Sequence, residues 1–279
     1  RYFMMRCASI AGAARRARSA ALAISAMAAA WPGVPASARA ACTDPSGGLG
    51  VARVVEIDAR GGPLYGAISR QPKAAPLLAP MEVVLTFDDG PVPWTTRPVL
   101  AALEAACTRA TFFSVGRMAL AYPEMVREVL ARGHTLGAHT WSHQVLIHLK
   151  RERALREIEL GFSAVAAAAG QPIAPFFRFP GLNDSRSLVT HLAGRDIATF
   201  TVDVVTDDSF TNDAQMLTRR TLQRIEQRRG GIVLFHDIKP ATAKALPQIL
   251  AWRIVDLGPE SGGRTSSSPF EALGVDPAD

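Results

Sequence analysis

The sequence predicts an α/β fold built on a largely parallel sheet, and three observations carry the prediction. From Glu82 onward short apolar runs alternate with stretches of helical spacing, the pattern of repeating strand and helix units. Val83, Val84 and Leu85 make a continuously apolar run, as expected of a strand covered on both faces. The distinctive polar residues fall at the C-terminal ends of such runs, where parallel sheets, open or closed into a barrel, build their sites.

The first forty residues stand apart. They contain six arginines and no acid, and Arg15, Arg16 and Arg18 precede the small apolar run from Ala20 to Ala30. Pro32 and Pro35 break any helix before Ala36-Ser37-Ala38 and Ala38-Arg39-Ala40, both of which fit a small-x-small cleavage site. Residues 1–40 therefore read as a secretory signal peptide, and the protein as exported, periplasmic or secreted. The apolar run is shorter than the ~20 residues of a spanning helix, so no stable membrane span is expected after the leader is removed. The six arginines account for the whole net charge of +6, and the neutral remainder has no electrostatic footprint for nucleic acid. Cys42 and Cys107 stay behind; an exported protein can pair them, and the sequence leaves that open.

Residues 41–81, rich in Gly, Pro and Ala with a strand-like run at 51–57, form an N-terminal extension. The main domain follows at 82–257. Its strands are expected at 83–87, 110–115, 134–139, 176–179, 197–202 and 231–235, and its helices at about 96–106, 123–132, 151–169, 185–193 and 213–229. Residues 254–257 are the candidate closing strand, and 258–279, rich in Gly, Ser and Pro, are expected to be a disordered tail.

Asp88 and Asp89 leave the end of a buried strand side by side. Adjacent carboxylates there repel and lose hydration, a costly arrangement unless a cation or a proton-transfer role offsets it. Asp-Gly-Pro is also ordinary turn punctuation. His139 and His143 lie four residues apart; if the strand turns into helical backbone there, both rings share a face and can grip one ion. Thr140 stands where the glutamate of a His-Glu-x-x-His protease would be, which excludes that reading. His148 is a further possible ligand, with Asp89 favoured over it.

Taken in order, Thr86-Phe87-Asp88-Asp89-Gly90, His139-Thr140-x-x-His143, Arg178-x-Pro180 and Leu234-Phe235-His236-Asp237 resemble the motifs of the polysaccharide deacetylases, carbohydrate esterase family four, over about residues 82–252. The resemblance implies a distorted (β/α) barrel of mostly parallel strands. It implies Asp88 as catalytic base, Arg178 as the residue that pairs with the base and keeps it ionised, His236 as general acid and Asp208 as the aspartate tuning that histidine. Asp89, His139 and His143 would bind Zn²⁺ or another divalent metal such as Co²⁺. Pro180, Gly181 and Leu234 would meet substrate, Gly181 through its N–H at the oxyanion and Leu234 at the acetyl methyl. Three protein ligands with an open position suit a catalytic rather than a structural zinc.

The sequence departs from the family pattern twice. Gly181 replaces the tyrosine usual after Arg-x-Pro and keeps the backbone donor. Val205 and Ser209 replace the first aspartate and the tryptophan of the pattern Asp-x-x-Asp-Trp, of which Asp208 remains, so a wall of the substrate groove is lost. The implied function is metal-dependent removal of acetyl groups, most of all from N-acetylglucosamine units, of an envelope or extracellular acetylated polysaccharide or oligosaccharide. The rivals are an O-acetyl (xylan-type) esterase and a non-catalytic carbohydrate-binding domain that retains the metal site. Intact Asp88, Arg178 and His236 weigh against the binding domain, which needs neither acid nor base.

Overall fold

The computed structural model describes residues 2–9 and 49–251. Its strands are β1 (Tyr2–Ser9), β2 (Arg53–Asp58), β3 (Leu64–Tyr65), β4 (Glu82–Asp88), β5 (Thr111–Ser114), β6 (Thr135–Ala138), β7 (Phe176–Phe177), β8 (Ala198–Phe200), β9 (Val204–Val205) and β10 (Gly231–His236). The helices are α1 (Pro93–Ala105), α2 (Gly116–Ala121), α3 (Pro123–Ala131), α4 (Arg151–Ala169), α5 (Arg186–Ala193), α6 (Ala214–Arg228) and α7 (Pro240–Ala251). The expected helices recur with ends shifted by a few residues. The short α2 was not foreseen, because one and a half turns give the helical period too little length to register.

Eight strands pair in parallel in the order β3, β8, β7, β6, β5, β4, β10, β9. β8 and β9 lie toward opposite ends of this order, yet only residues 201–203 separate them. Such a link spans on the order of 10 Å, so the sheet must curl until its ends meet, giving the distorted barrel. Thr201 N–H donates to Tyr65 O on one side of the seam and Asp203 N–H to Ile232 O on the other, at 2.8 and 2.9 Å. β1 pairs antiparallel with β2 and, through Ala8 and Ser9, with the start of β4. Tyr2–Ser9 belongs to the stretch read as a leader. Residues 10–40 of that stretch, 41–48 of the extension, and the expected closing strand and tail lie outside the described residues.

Period-two alternation sets which side chains face the barrel interior. On β4, Val83, Leu85 and Phe87 join the outer core with Val99, Leu100 and Leu103 of α1 and Leu246 of α7. Val84 faces inward with Phe113, Phe176, Phe200, Ile232 and Leu234. The same parity directs Thr86 and Asp88, Arg178 after β7, and His236 on β10 into the barrel mouth. His236 sits opposite Asp88 in the parallel register, with Leu234 opposite Thr86 one layer below.

Candidate active site

Asp88 ends β4, 2% exposed, and Arg178, at 0%, is the largest fully buried side chain. One guanidinium nitrogen donates to Asp88 Oδ1 at 2.7 Å and to Thr86 Oγ1 at 2.8 Å. The others donate to Phe200 O and Thr201 O, each at 3.3 Å, so the arginine also ties down the seam. Its charged carbon lies 4.3 Å from the Phe113 ring centroid, within reach of a cation–π attraction. Burial drives the Asp88 carboxyl above its usual range, with the charges of Arg178, His236 and His143 opposing. Phe177 and Phe179, on either side of Arg178, pack into an apolar cluster with Ile158, Leu188 and Leu192.

His139 and His143 meet Asp89 beside this pair. The Nε2 atoms of His143 and His139 lie 3.1 and 3.5 Å from Asp89 Oδ1, and the candidate ligand atoms of all three residues fall within 4.8 Å of one another. His139 Nδ1–H donates to Arg178 O at 2.7 Å, leaving Nε2 with its lone pair toward Asp89. Burial, opposed by Asp89, pushes His139 down to about 3, so the ring is neutral. Asp89 Oδ1 is buried and has no hydrogen-bond partner within the described residues. Two imidazole nitrogens and an orphaned carboxylate oxygen converging with a position to spare fit a divalent ion such as zinc. His148 is exposed and outside this cluster.

The segment carrying the two histidines is not helical, so the rings come together without the helical backbone that the spacing would have required. Thr140 and His143 both take positive φ, at 67° and 61°, and tertiary bonds hold them there. Glu157, 7% exposed on the inner face of α4, receives Ser142 N–H on one carboxylate oxygen and Ser142 O–H on the other, at 2.8 and 2.9 Å. Trp141 N–H donates to Glu157 O, and His143 N–H to Thr140 Oγ1 at 3.0 Å. α4 can come this close because position 161 is glycine: a Cβ there would stand 2.6 Å from the Thr140 carbonyl carbon. Sequence reasoning passed over Glu157, although a lone acid on the Ala154, Ile158, Gly161 face was a usable signal.

On the other flank, His236 Nδ1–H donates to Asp208 Oδ1 at 2.7 Å, while its backbone N–H and Thr242 Oγ1 donate to Oδ2 at 2.7 and 2.6 Å. Burial disfavours charge on His236, but the hydrogen bond and charge of Asp208, with Asp88 and Asp89 beyond, raise it to about 9. Asp208 is held below the usual carboxylate range: burial works upward, and the His236 and Thr242 bonds outweigh it. His236 Nε2 faces the cluster, 3.9 Å from Asp89 Oδ2. Pro180 and exposed Gly181 occupy the short turn Pro180–Leu182 just beyond Arg178. Leu234 is 6% exposed in the barrel interior, beneath His236.

Asp237, just past the end of β10, is 1% exposed and went unremarked in the sequence beyond its place in a motif. It accepts Gly90 N–H at 3.0 Å and Thr96 O–H at 2.6 Å, and burial pushes its carboxyl up to about 7 against those bonds. Cys107, at the far end of α1, is disulfide-bonded; the partner's side chain lies outside the described residues.

Fold and site together define a class: an α/β barrel whose strand ends carry a site able to hold one metal ion between two buried ion pairs. Comparison with known proteins supplies the family. A profile described as polysaccharide deacetylase matches residues 78–197. Chitin deacetylase 1 of Saccharomyces cerevisiae is 34% identical over 159 residues, covering 54% of this chain and 50% of that protein. The chitooligosaccharide deacetylase of Bradyrhizobium sp. is 30% identical over 158 residues, 57% of this chain and 71% of that one. The peptidoglycan-N-acetylglucosamine deacetylase of Listeria monocytogenes is 32% identical over 168 residues, with 60% and 35% covered. Among solved structures, a Bdellovibrio bacteriovorus peptidoglycan deacetylase superposes with a TM-score of 0.62 at 33% identity, covering 69% of this chain and 52% of that chain. The chain belongs to the polysaccharide deacetylase family, and it spans half or less of the yeast and Listeria relatives.

Proposed function

We propose that this protein is a metal-dependent deacetylase that hydrolyses N-acetyl groups of an acetylated polysaccharide or oligosaccharide, N-acetylglucosamine units foremost. The observation that carries the reading is the orphaned Asp89 Oδ1 facing two histidine nitrogens, flanked by one carboxylate poised to take a proton and one imidazolium poised to give one. Asp89, His139 and His143 would hold the ion, zinc or another divalent metal such as cobalt, which when bound supplies Lewis acidity and lowers the pKa of water.

Asp88 is the base. Its Oδ1 is engaged by Arg178, so Oδ2 takes the proton from the attacking water, and the raised proton affinity that burial gives it suits that task. The Gly181 N–H is the chain's own donor for the oxyanion that forms as water oxygen bonds to the acetyl carbon. His236 gives its Nε2 proton to the leaving nitrogen as the C–N bond breaks, and Asp208 holds the ring by Nδ1. Pro180 and Leu234 shape the floor and wall.

Phe210 supports a sugar substrate. It is 86% exposed and follows Ser209, whose Oγ lies 3.2 Å from His236 Nδ1; an aromatic face there can cover the apolar face of a pyranose. The relatives bear names for chitin, chitooligosaccharide and peptidoglycan deacetylation, which supports an exported protein acting on an envelope or extracellular polymer. Among the described residues no helix is long and apolar enough to cross a membrane.

The test is acetate release from acetylated chitooligosaccharides, peptidoglycan fragments and acetylxylan, after chelation and with zinc restored. Zinc-restored release from the first two is expected. Release from acetylxylan alone would replace the reading with an O-acetyl esterase, and none from any substrate, with zinc bound, with a binding domain.

A further inference from the structure

Asp89 is presented to the metal site from a costly backbone. Its φ is 77°, a region that residues with a Cβ rarely occupy without surrounding structure to hold them. The loop after Asp89 is bonded at almost every polar atom. Gly90 O accepts Val115 N–H at 3.2 Å, and Val92 O accepts Thr96 N–H at 2.8 Å. Val92 N–H donates to Thr96 Oγ1 at 2.9 Å. The remaining backbone donor, Gly90 N–H, goes to Asp237 Oδ1, and Asp237 Oδ2 accepts the hydroxyl of the same Thr96. Position 90 admits this contact only as glycine, since a Cβ would lie 2.1 Å from Asp237 Oδ2.

We propose that Asp237 is a positioning residue that, through Gly90 and Thr96, fixes the left-handed backbone aiming Asp89 at the metal. The clamp is built from buried groups: Thr96 is 0% and Asp237 1% exposed. Their hydrogen bonds go to each other and to the Gly90 backbone, so their hold on the direction of Asp89 passes through the backbone at Gly90, while the Asp237 charge also acts on Asp89 through space. The Asp237 carboxyl oxygen satisfies the buried Gly90 N–H, and its loss leaves that donor without this partner in a dry site. The end of β10 and the residue after it would then serve two purposes: His236 faces the barrel mouth, and Asp237 grips the loop after β4.

The inference rests on the metal reading, and the experiment separates the two. Zinc affinity of the full chain is measured by competition with a chromophoric chelator for the unmodified protein, Asp237→Ala, Asp237→Asn and Thr96→Val, each also melted metal-free. Asp237→Ala is expected to bind zinc at least tenfold more weakly, Thr96→Val less so, and Asp237→Asn between them, because its amide oxygen can still accept Gly90 N–H. Excess zinc should restore turnover of the folded variants with KM for acetylated chitooligosaccharide unchanged, which a general loss of stability would not produce. Unaltered zinc affinity in folded Asp237→Ala overturns the proposal; if that variant does not fold, unaltered affinity in Thr96→Val does. An unmodified protein that binds no zinc overturns the metal reading itself and the clamp with it.

Discussion

The two flanks of the site solve the same problem in opposite ways. On each, a buried aspartate faces a cationic partner, Arg178 for Asp88 and His236 for Asp208. Yet the Asp88 carboxyl is pushed above its usual range and the Asp208 carboxyl held below it. Burial acts upward on both, so the difference lies in the donors. Asp208 collects the imidazole N–H, a backbone N–H and the Thr242 hydroxyl. Asp88 receives its bond from Arg178, a guanidinium whose charge is shared with Thr86 and two seam carbonyls. A carboxylate with its lone pairs filled stays an anion and steadies a neighbour's proton; one left partly open can take a proton itself.

That contrast can be broken from either side, and the base side should give the larger effect. Asp88→Asn keeps the shape and removes the proton acceptor, so kcat should fall by roughly 10²–10⁴ while zinc content measured by metal analysis is unchanged. Retained turnover would assign the base elsewhere. Asp208→Asn acts more gently, through the proton on His236. A folded value raised from 6.5 to about 9 means that His236 is an imidazolium through neutral pH. The stability from its ion pair is complete below 6.5 and lost as pH rises through 9. The kcat profile of the unmodified protein should therefore decline near pH 9, and that limb should retreat toward neutrality in Asp208→Asn, costing on the order of tenfold at pH 8. An alkaline limb that stays put would remove Asp208 from the role of tuning the acid.

The smallest effect is expected at the rim on the acid side. Phe210→Ala should raise KM for an acetylated tetrasaccharide by roughly threefold to tenfold, the worth of one stacking contact, and leave that for a single N-acetylated sugar unchanged. Equal KM values for both variants on the longer substrate would mean that the sugar does not pass over Phe210.

Strand ends and the residues on them were legible because their signals are local. Asp88 and Asp89 close an apolar run, Arg178 follows phenylalanines, and His236 ends the last apolar run of the main domain before α7. What sequence could not show was support from far along the chain. The turn holding His143 looked helical by spacing, and it is instead shaped by Glu157, fourteen residues downstream. Asp237 and Gly90 are 147 residues apart. Nor could two residues of β9 announce that the segment from Ala198 to Val205 links strands toward opposite ends of the sheet. A one-residue motif carries its chemistry in its own side chain, whereas a clamp exists only once the fold has brought its halves together.

The bonds from Arg178 to Phe200 O and Thr201 O give the barrel seam a bearing on when the protein becomes active. The arginine that anchors Asp88, 90 residues earlier in the chain, also holds the two carbonyls where β8 runs into the seam, and contacts between segments so distant in sequence are slow to form. A partly assembled chain in which Arg178 has not met β4 leaves Asp88 without its anchor, even with Asp89, His139 and His143 in place. On the proposed function, activity should accordingly appear only once those distant segments have met, and an incompletely folded chain should leave acetylated sugars untouched.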